Sequence, residues 1–408
     1  MRKLVLVLSI VVGLAAAAMA PLLGGALAAM AWIGRARASG NESVQAATIA
    51  AGALLLSLGF GLALAWAGWA ALRGRPARPF RLPRWGWWLL ALAITLGLGQ
   101  AAFSAEIKAL VPAAHIAAGV LPAFLFLSLA LGSARRGGGA ITTRPMIGSI
   151  AWGGLGGAGL ALTLELILVL SAVAALAIGL AAMEPELMSR LQAGALEFQR
   201  SGDLGDLSEI VPYLTSPLVM LGVLGVIAVI VPLLEEGAKS LAVPLVALAG
   251  RRLTRLDGFL LGVAAGAGFA LFEGVMNGVL ALSVPGDWAL LMTVRAGTAA
   301  VHCAATGLAG LGWVAVLVER RWARGVGLGA AAVALHGAWN LFAGVQAVSG
   351  LRSLGAAGSA PLGGQSLLVL LLLGTVWVGA ALLLALLPRR LAGSSLVVSR
   401  ALRENDES

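Results

Sequence analysis

In the stretch VIVPLLEEGAKSLAVPL, residues 229–245, two carboxylates and an ammonium (Glu235, Glu236 and Lys239) fall within five residues between apolar runs. Three later stretches place further polar groups at helical spacing: Phe269, Glu273 and Asn277 in FALFEGVMN, Arg295, His302 and Thr306 in RAGTAAVHCAATG, and His336 and Asn340 in HGAWN. Glutamates beside histidines can activate water in two ways. A glutamate can act as general base while His or Asn stabilises the oxyanion. Alternatively, Glu and His side chains can hold a Zn²⁺ whose bound water titrates near neutrality. Lys239 can neutralise one carboxylate of its pair, and the second must then take a proton, a metal or another cation. No HExxH, no GxSxG, no nucleotide motif and no Asp pair of the intramembrane aspartyl type is present. Hydrolysis within a membrane leads on these residues. An ion- or proton-coupled transporter is the alternative, because transport also places Glu, Lys and Arg within the bilayer.

The elements that must position these groups are membrane helices. Of 408 residues, 60% are hydrophobic and 11% charged, and the mean hydropathy is +0.97. A chain of this composition is a polytopic helical membrane protein, since each span must satisfy its own backbone hydrogen bonds in lipid. The 56 glycines suit close helix packing there. The net charge of +10 does not indicate nucleic acid, because the arginines sit in short loops between apolar runs, where they orient the chain. A single cysteine, Cys303, excludes an intramolecular disulfide and a cysteine-rich metal site. The opening MRKLVLVLSIVVGLAAAAMA resembles a signal peptide with a cleavage-like site near Ala20. Cleavage there leaves a remnant too short to span, so it reads as a retained first helix.

Nine apolar windows are clear, and the stretch 213–250 crosses either once or twice. A single crossing puts most Lys and Arg on one side, whereas two crossings divide them almost evenly. The expected fold is therefore an all-α bundle of about ten spans with both termini cytoplasmic. A single crossing leaves Tyr213 to Val229 as a broken or re-entrant segment hinged near Pro217 or Pro232. The division expected is a five-span accessory region (1–182), an external polar loop (183–212), a membrane core (213–348), and a last span with a disordered cytoplasmic tail (349–408). Trp85, Trp87 and Trp88 read as an interfacial belt.

A charge at mid-bilayer costs at least about 2.5–3.5 kcal/mol and marks a functional site by default. The core holds most of these groups. Counted at 1.5 Å per residue from their cytoplasmic ends, Glu236, Glu273, His302 and His336 lie about 18–26 Å up, in the outer half of the hydrocarbon. Four helices thus bring polar groups to one depth, as a shared site requires. Against this, Lys239 with one glutamate is equally a buried packing pair, and Arg295 equally a residue that snorkels to the surface. His115 reads as a packed, hydrogen-bonded histidine, and Glu165 has no evident partner.

EEGAK, FALFE, HCAATG and HGAWN, in this order on successive helices, resemble the PrsW family of intramembrane proteases, which is related to the CAAX prenyl endopeptidases. The resemblance covers about 213–345. It implies peptide-bond hydrolysis of membrane-anchored proteins, such as an anti-sigma factor, in a multi-pass protein of the bacterial plasma membrane. On that resemblance Glu235 is the water-activating base and Glu236 with Lys239 its supporting pair. Glu273 and His302 bind water or metal, His336 and Asn340 stabilise the oxyanion, and Phe269, Arg295 and Thr306 support the site. The CAAX branch shows EExxxR and FxxxH. Here Lys239 comes one place early and Glu273 stands for the histidine, which argues against a prenylated substrate. Family members act with or without a metal. If Zn²⁺ is bound, Glu273, His302 and His336 are the expected ligands, leaving an open position for water.

Overall fold

The computed structural model describes residues 2–34, 40–76, 78–183, 217–355 and 364–406, with short pieces between 185 and 196. Among these residues the chain is helical with no strand, and Pro79 and Thr142 form one isolated bridge. Ten helices are long and apolar enough to cross a membrane. They are α1 (Arg2–Leu22), α2 (Ser43–Leu72), α3 (Trp85–Ser104), α4 (Val111–Arg136), α5 (Thr143–Gly179), α6 (Met220–Leu248), α7 (Arg255–Ser283), α8 (Pro285–Leu317), α9 (Trp322–Gln346) and α10 (Leu367–Gly393). The chain is thus a multi-pass membrane bundle. The external loop expected at 183–212 falls largely outside the described residues.

α7 and α8 are the most buried helices and form the centre. Their contact follows from one repeat. Gly258, Gly262 and Gly266 lie one turn apart on α7, and a Cβ at each would collide with the carbonyl oxygens of Gly310, Thr306 and His302 on α8. Without side chains the two backbones meet directly, the usual way for membrane helices to gain dispersion contact. The same device recurs on both flanks of α7. Gly153 of α5 lies on Ala265, Gly268 lies under Ile150 of α5, and Gly119 of α4 meets Gly274.

Interhelical contacts sort the helix ends into two groups. The start of α5 is tied to the end of α6, with Arg251 Nη1 donating to Thr142 Oγ1 at 2.9 Å. Thr142 in turn bridges Pro79 after α2, and the side chain of Arg2 lies against Gly250. At the opposite end Gln45 donates to Ser283 Oγ at 2.8 Å, and Gln100 donates to the Pro285 carbonyl at 2.9 Å. α5 leaves the basic end and α6 returns to it, so the stretch before Gly250 crosses once.

The re-entrant segment expected over Tyr213–Val229 is not found among the described residues. The helix from Pro217 instead runs through a π turn at Val226–Ile230 into Val231–Ser240. The π turn takes up the missing proline N–H, since Pro232 then stands in the first turn of the following segment, where no donor is needed. The disordered tail is also corrected, because the helix continues through Pro388 to Asp406. Trp85 and Trp87 are exposed as a belt requires. Trp88 instead stacks on Phe124 with ring centroids 5.0 Å apart.

Candidate active site

The π turn of α6 brings the site together on one side. Gly337 of α9 lies against the Ala228 carbonyl within that turn, and Asn340 Nδ2 donates to the Ile227 carbonyl at 3.2 Å. This contact sets His336, one turn from Asn340, beside the carboxylates of α6. Asn340 itself is held on the π turn and does not join the cluster. On the other side, the Gly266 contact places His302 of α8 next to Phe269 and Glu273 of α7. The His302 and His336 rings meet edge to face with centroids 4.7 Å apart, and the Phe269 ring lies 5.0 Å from His302.

Lys239 is fully buried and connects the groups. Its Nζ lies 3.0 Å from Glu235 Oε2, 2.6 Å from Glu236 Oε1 and 3.0 Å from His302 Nδ1, over the Phe269 ring at 4.3 Å. Lys239 therefore touches both glutamates, where the spacing left a choice of either. Arg295 does not snorkel away, since its Nη2 pairs with Glu273 Oε1 at 2.8 Å. Three carboxylates against Lys239 and Arg295 leave one formal negative charge. Glu165 of α5 also acts on this field, being within electrostatic range of Glu235, Glu273 and Lys239, and its Oε1 is buried without a hydrogen-bond partner. Its sequence neighbours gave no sign of this, because only the packing of α5 on α6 brings it near.

The carboxylates divide by how far their oxygens are engaged. Glu236 is saturated: Oε1 takes Lys239 and His336 Nδ1 (2.9 Å), and Oε2 accepts from Thr306 Oγ1 at 2.7 Å. Glu273 is saturated too, with Asn277 Nδ2 (3.1 Å) and Arg295 on Oε1 and His302 Nε2 on Oε2. Glu235 has only Lys239 on Oε2, and its Oε1 has no hydrogen bond to the described residues.

These bonds also assign the imidazole protons. His336 donates Nδ1–H to Glu236, and His302 donates Nε2–H to Glu273 while accepting from Lys239 at Nδ1. The inner nitrogens are His336 Nε2, which has no hydrogen bond among the described residues, and His302 Nδ1, which takes Lys239. They lie 3.8 and 4.0 Å from Glu235 Oε2.

Glu235, His302 and His336 each offer one ligand atom, all within 4.8 Å of one another. Two imidazoles and a carboxylate are a suitable donor set for Zn²⁺. Each imidazole is backed by a second carboxylate, the usual support of a metal-bound histidine. Glu235 thus stands in this set where the sequence pointed to Glu273. The reason is geometric, since Glu273 approaches His302 from its outer nitrogen. His115, outside the cluster, is packed as read. It accepts from Trp288 Nε1 at 3.2 Å and faces the Val275 carbonyl at 3.3 Å.

Residues 215–378 match the family described as PrsW family intramembrane metalloprotease. That match bears out the resemblance of the four motifs and spans every candidate catalytic residue, while the first five helices lie outside it. No curated protein and no solved structure matches the chain. A PrsW-type domain within a bundle of membrane helices is an intramembrane protease, acting on protein substrates in a lipid environment.

Proposed function

We propose that this intramembrane protease hydrolyses peptide bonds of membrane-anchored proteins at the Glu235–His302–His336 cluster, with Zn²⁺ as its metal. The observation that carries the proposal is the unequal engagement of the carboxylates. Glu236 and Glu273 are consumed in orienting His336 and His302, whereas Glu235 keeps one oxygen without a hydrogen bond among the described residues, beside His336 Nε2 and the Lys239-bound His302 Nδ1, which Lys239 would release to a metal. That distribution favours metal binding, because each histidine has a carboxylate on its outer nitrogen, the usual support of a metal-bound imidazole, and Glu235 is left to serve as the third ligand.

His302 Nδ1, His336 Nε2 and Glu235 Oε2 would hold the ion. When bound, it would supply a water of pKa near 7 and polarise the scissile carbonyl. Glu235 Oε1 accepts the proton of the attacking water and returns it to the leaving amine. Lys239 holds Glu235 and Glu236 in place, and Thr306 fixes the second oxygen of Glu236. Arg295 and Asn277 fix one oxygen of Glu273 and aim the other at His302 Nε2, which keeps the His302 proton there. Phe269 packs on the imidazole and closes that side to water.

The basic helix ends are proposed as cytoplasmic in a bacterial plasma membrane, which sets the site in the outer half of the bilayer. α1–α5 are proposed as an accessory region, 213–348 as the proteolytic core. A model membrane-anchored substrate, cleaved by the purified protein in liposomes, tests the reading. Activity should vanish with a strong chelator and return with Zn²⁺ or Co²⁺. Full activity in chelator-treated, metal-free protein would reject the metal. Comparing membrane proteins of cells carrying wild type or Glu235→Ala should show the natural substrate as an uncut species.

A further inference from the structure

Away from the site, a cavity of about 520 Å³ lies between α1, α2, α5 and the basic end of α6. Its chemistry changes with depth. At the membrane edge stand three guanidiniums, Arg2, Arg144 and Arg251. Arg251 pairs with Asp257 at 2.6 Å, its Nε remaining buried without a partner. Arg144 donates only to the Ala70 carbonyl at 3.2 Å, and Arg2 has no hydrogen-bond or ion-pair partner among the described residues. Among the described residues one carboxylate stands against three arginines, which leaves two positive charges uncompensated where hydrocarbon meets water.

Deeper in the cavity the wall carries Ser149, 1% exposed, whose hydroxyl is buried without a hydrogen-bond partner. It lies five residues beyond Arg144 on α5, about 7.5 Å further in at the helical rise. Beyond it stand apolar Val12, Leu64 and Leu245, with Trp152 as the floor, and the Ser9 hydroxyl in the wall is spent on the Val5 carbonyl at 2.8 Å. Exposed Leu8 and Val12 leave the cavity open towards the surrounding lipid.

We propose that this cavity binds one anionic phospholipid, its phosphate on Arg2, Arg144 and Arg251, an ester carbonyl on Ser149, and an acyl chain along α1. Each zone of the cavity matches one zone of that molecule. Guanidinium is the side chain best suited to phosphate, and basic pockets between membrane helices at the cytoplasmic side favour anionic headgroups. A transmembrane peptide offers no phosphate for the two uncompensated charges and no ester for the buried hydroxyl. The floor also adjoins the catalytic helix, since Trp152 Nε1 donates to the Ala238 carbonyl at 3.0 Å, next to Lys239.

The test uses the full-length protein, delipidated in detergent and titrated with phosphatidylglycerol, phosphatidylcholine or inorganic phosphate, with bound species read by native mass spectrometry. One phosphatidylglycerol per chain should be retained under conditions that strip phosphatidylcholine. Arg2→Gln and Arg144→Gln should each weaken retention about fivefold, and the double variant about 30-fold, at the usual worth of a basic residue near an anionic surface. Gly148→Leu fills the cavity from a position where a Cβ has ordinary contact with Ala67. It should abolish retention without changing the thermal melt. Equal retention of the two lipids, undiminished retention by Gly148→Leu, or competition by inorganic phosphate as strong as by the lipid would overturn the proposal. So would a photo-crosslinker at Leu245 that captures a peptide and no lipid.

Discussion

At the scale of the residue, the site is organised by which oxygen is free. Glu235 and Glu236 are adjacent in sequence and alike in burial, yet only Glu235 keeps an oxygen for water. Glu235→Gln should therefore cut cleavage by about 10²–10⁴-fold, the range for removal of a general base. The thermal melt should move little, since Lys239 retains Glu236. A Glu235→Gln protein that cleaves normally would remove it from the chemistry. Glu273→Gln tests the outer support. Its amide cannot pair with Arg295 or hold the His302 proton as a carboxylate does, so Zn²⁺ affinity should fall about 10–100-fold with the fold intact. Calorimetric titration of metal into the apo-protein measures this, and unchanged affinity would mean that His302 is not a ligand.

At the scale of the element, two contacts decide how the helices meet. Gly268 under Ile150 and Gly153 on Ala265 lock α5 to α7, while Gly159 on the same α5 has open space around it. Gly268→Leu should destabilise by about 1–3 kcal/mol through overpacking, and Gly159→Leu should be neutral. Thermal melts of the two variants side by side give the comparison, and equal shifts would mean the crossing is not set there. Outside the membrane, the connection from α8 to α9 is pinned by Glu319, which pairs with Arg255 at the start of α7. The hydrogen bond from Arg255 holds the Glu319 carboxyl below the usual carboxylate range. A depressed pKa stabilises the fold above the carboxylate's unfolded-state value, and the contribution disappears as pH falls through the folded value. The pair is partly exposed, so its worth at neutral pH is at most about 1 kcal/mol. Arg255→Gln should lower the melting point slightly at pH 7 and not at all in strong acid. A difference that persists at both would show another role for Arg255.

At the scale of the whole molecule, one end of the bundle collects the basic loops after α2, α4, α6 and α8 together with the start of α1. By the preference of Lys and Arg for the cytoplasm, that end is proposed to face inward. Single cysteines at Arg252 and Ser394, in a chain with Cys303 replaced, should be shielded from an impermeant thiol reagent in intact cells. A cysteine at Glu106, at the opposite end after α3, should react. Labelling of Ser394→Cys from outside would invert the orientation and move the site to the inner half of the membrane.

The sequence by itself determined the solvent and the number of long apolar helices, and it picked out Glu235, Glu236, Lys239, Glu273, His302 and His336, which the fold brings into one cluster. Apolar run length and loop arginines are local quantities, and an ionisable group in such a run stands out without any knowledge of its neighbours. The sequence could also place Glu235, Glu273, His302 and His336 on helices at one depth, because rise per residue is fixed. It could not say which way each side chain is bonded. Whether Arg295 turned to Glu273 or to the surface, whether Lys239 met one carboxylate or both, and whether Asn340 faced His336 or a backbone carbonyl depended on rotation and approach of whole helices. Those were set by the glycine contacts of α7 and by the π turn of α6. A π turn has no strong sequence signal, and the re-entrant segment was expected in its place. Glu165, isolated on its own helix, gained its neighbours only when α5 packed against α6. Period and composition are written along the chain, while hydrogen-bond partners are chosen between chain segments, and only the packed bundle brings those segments within 3 Å.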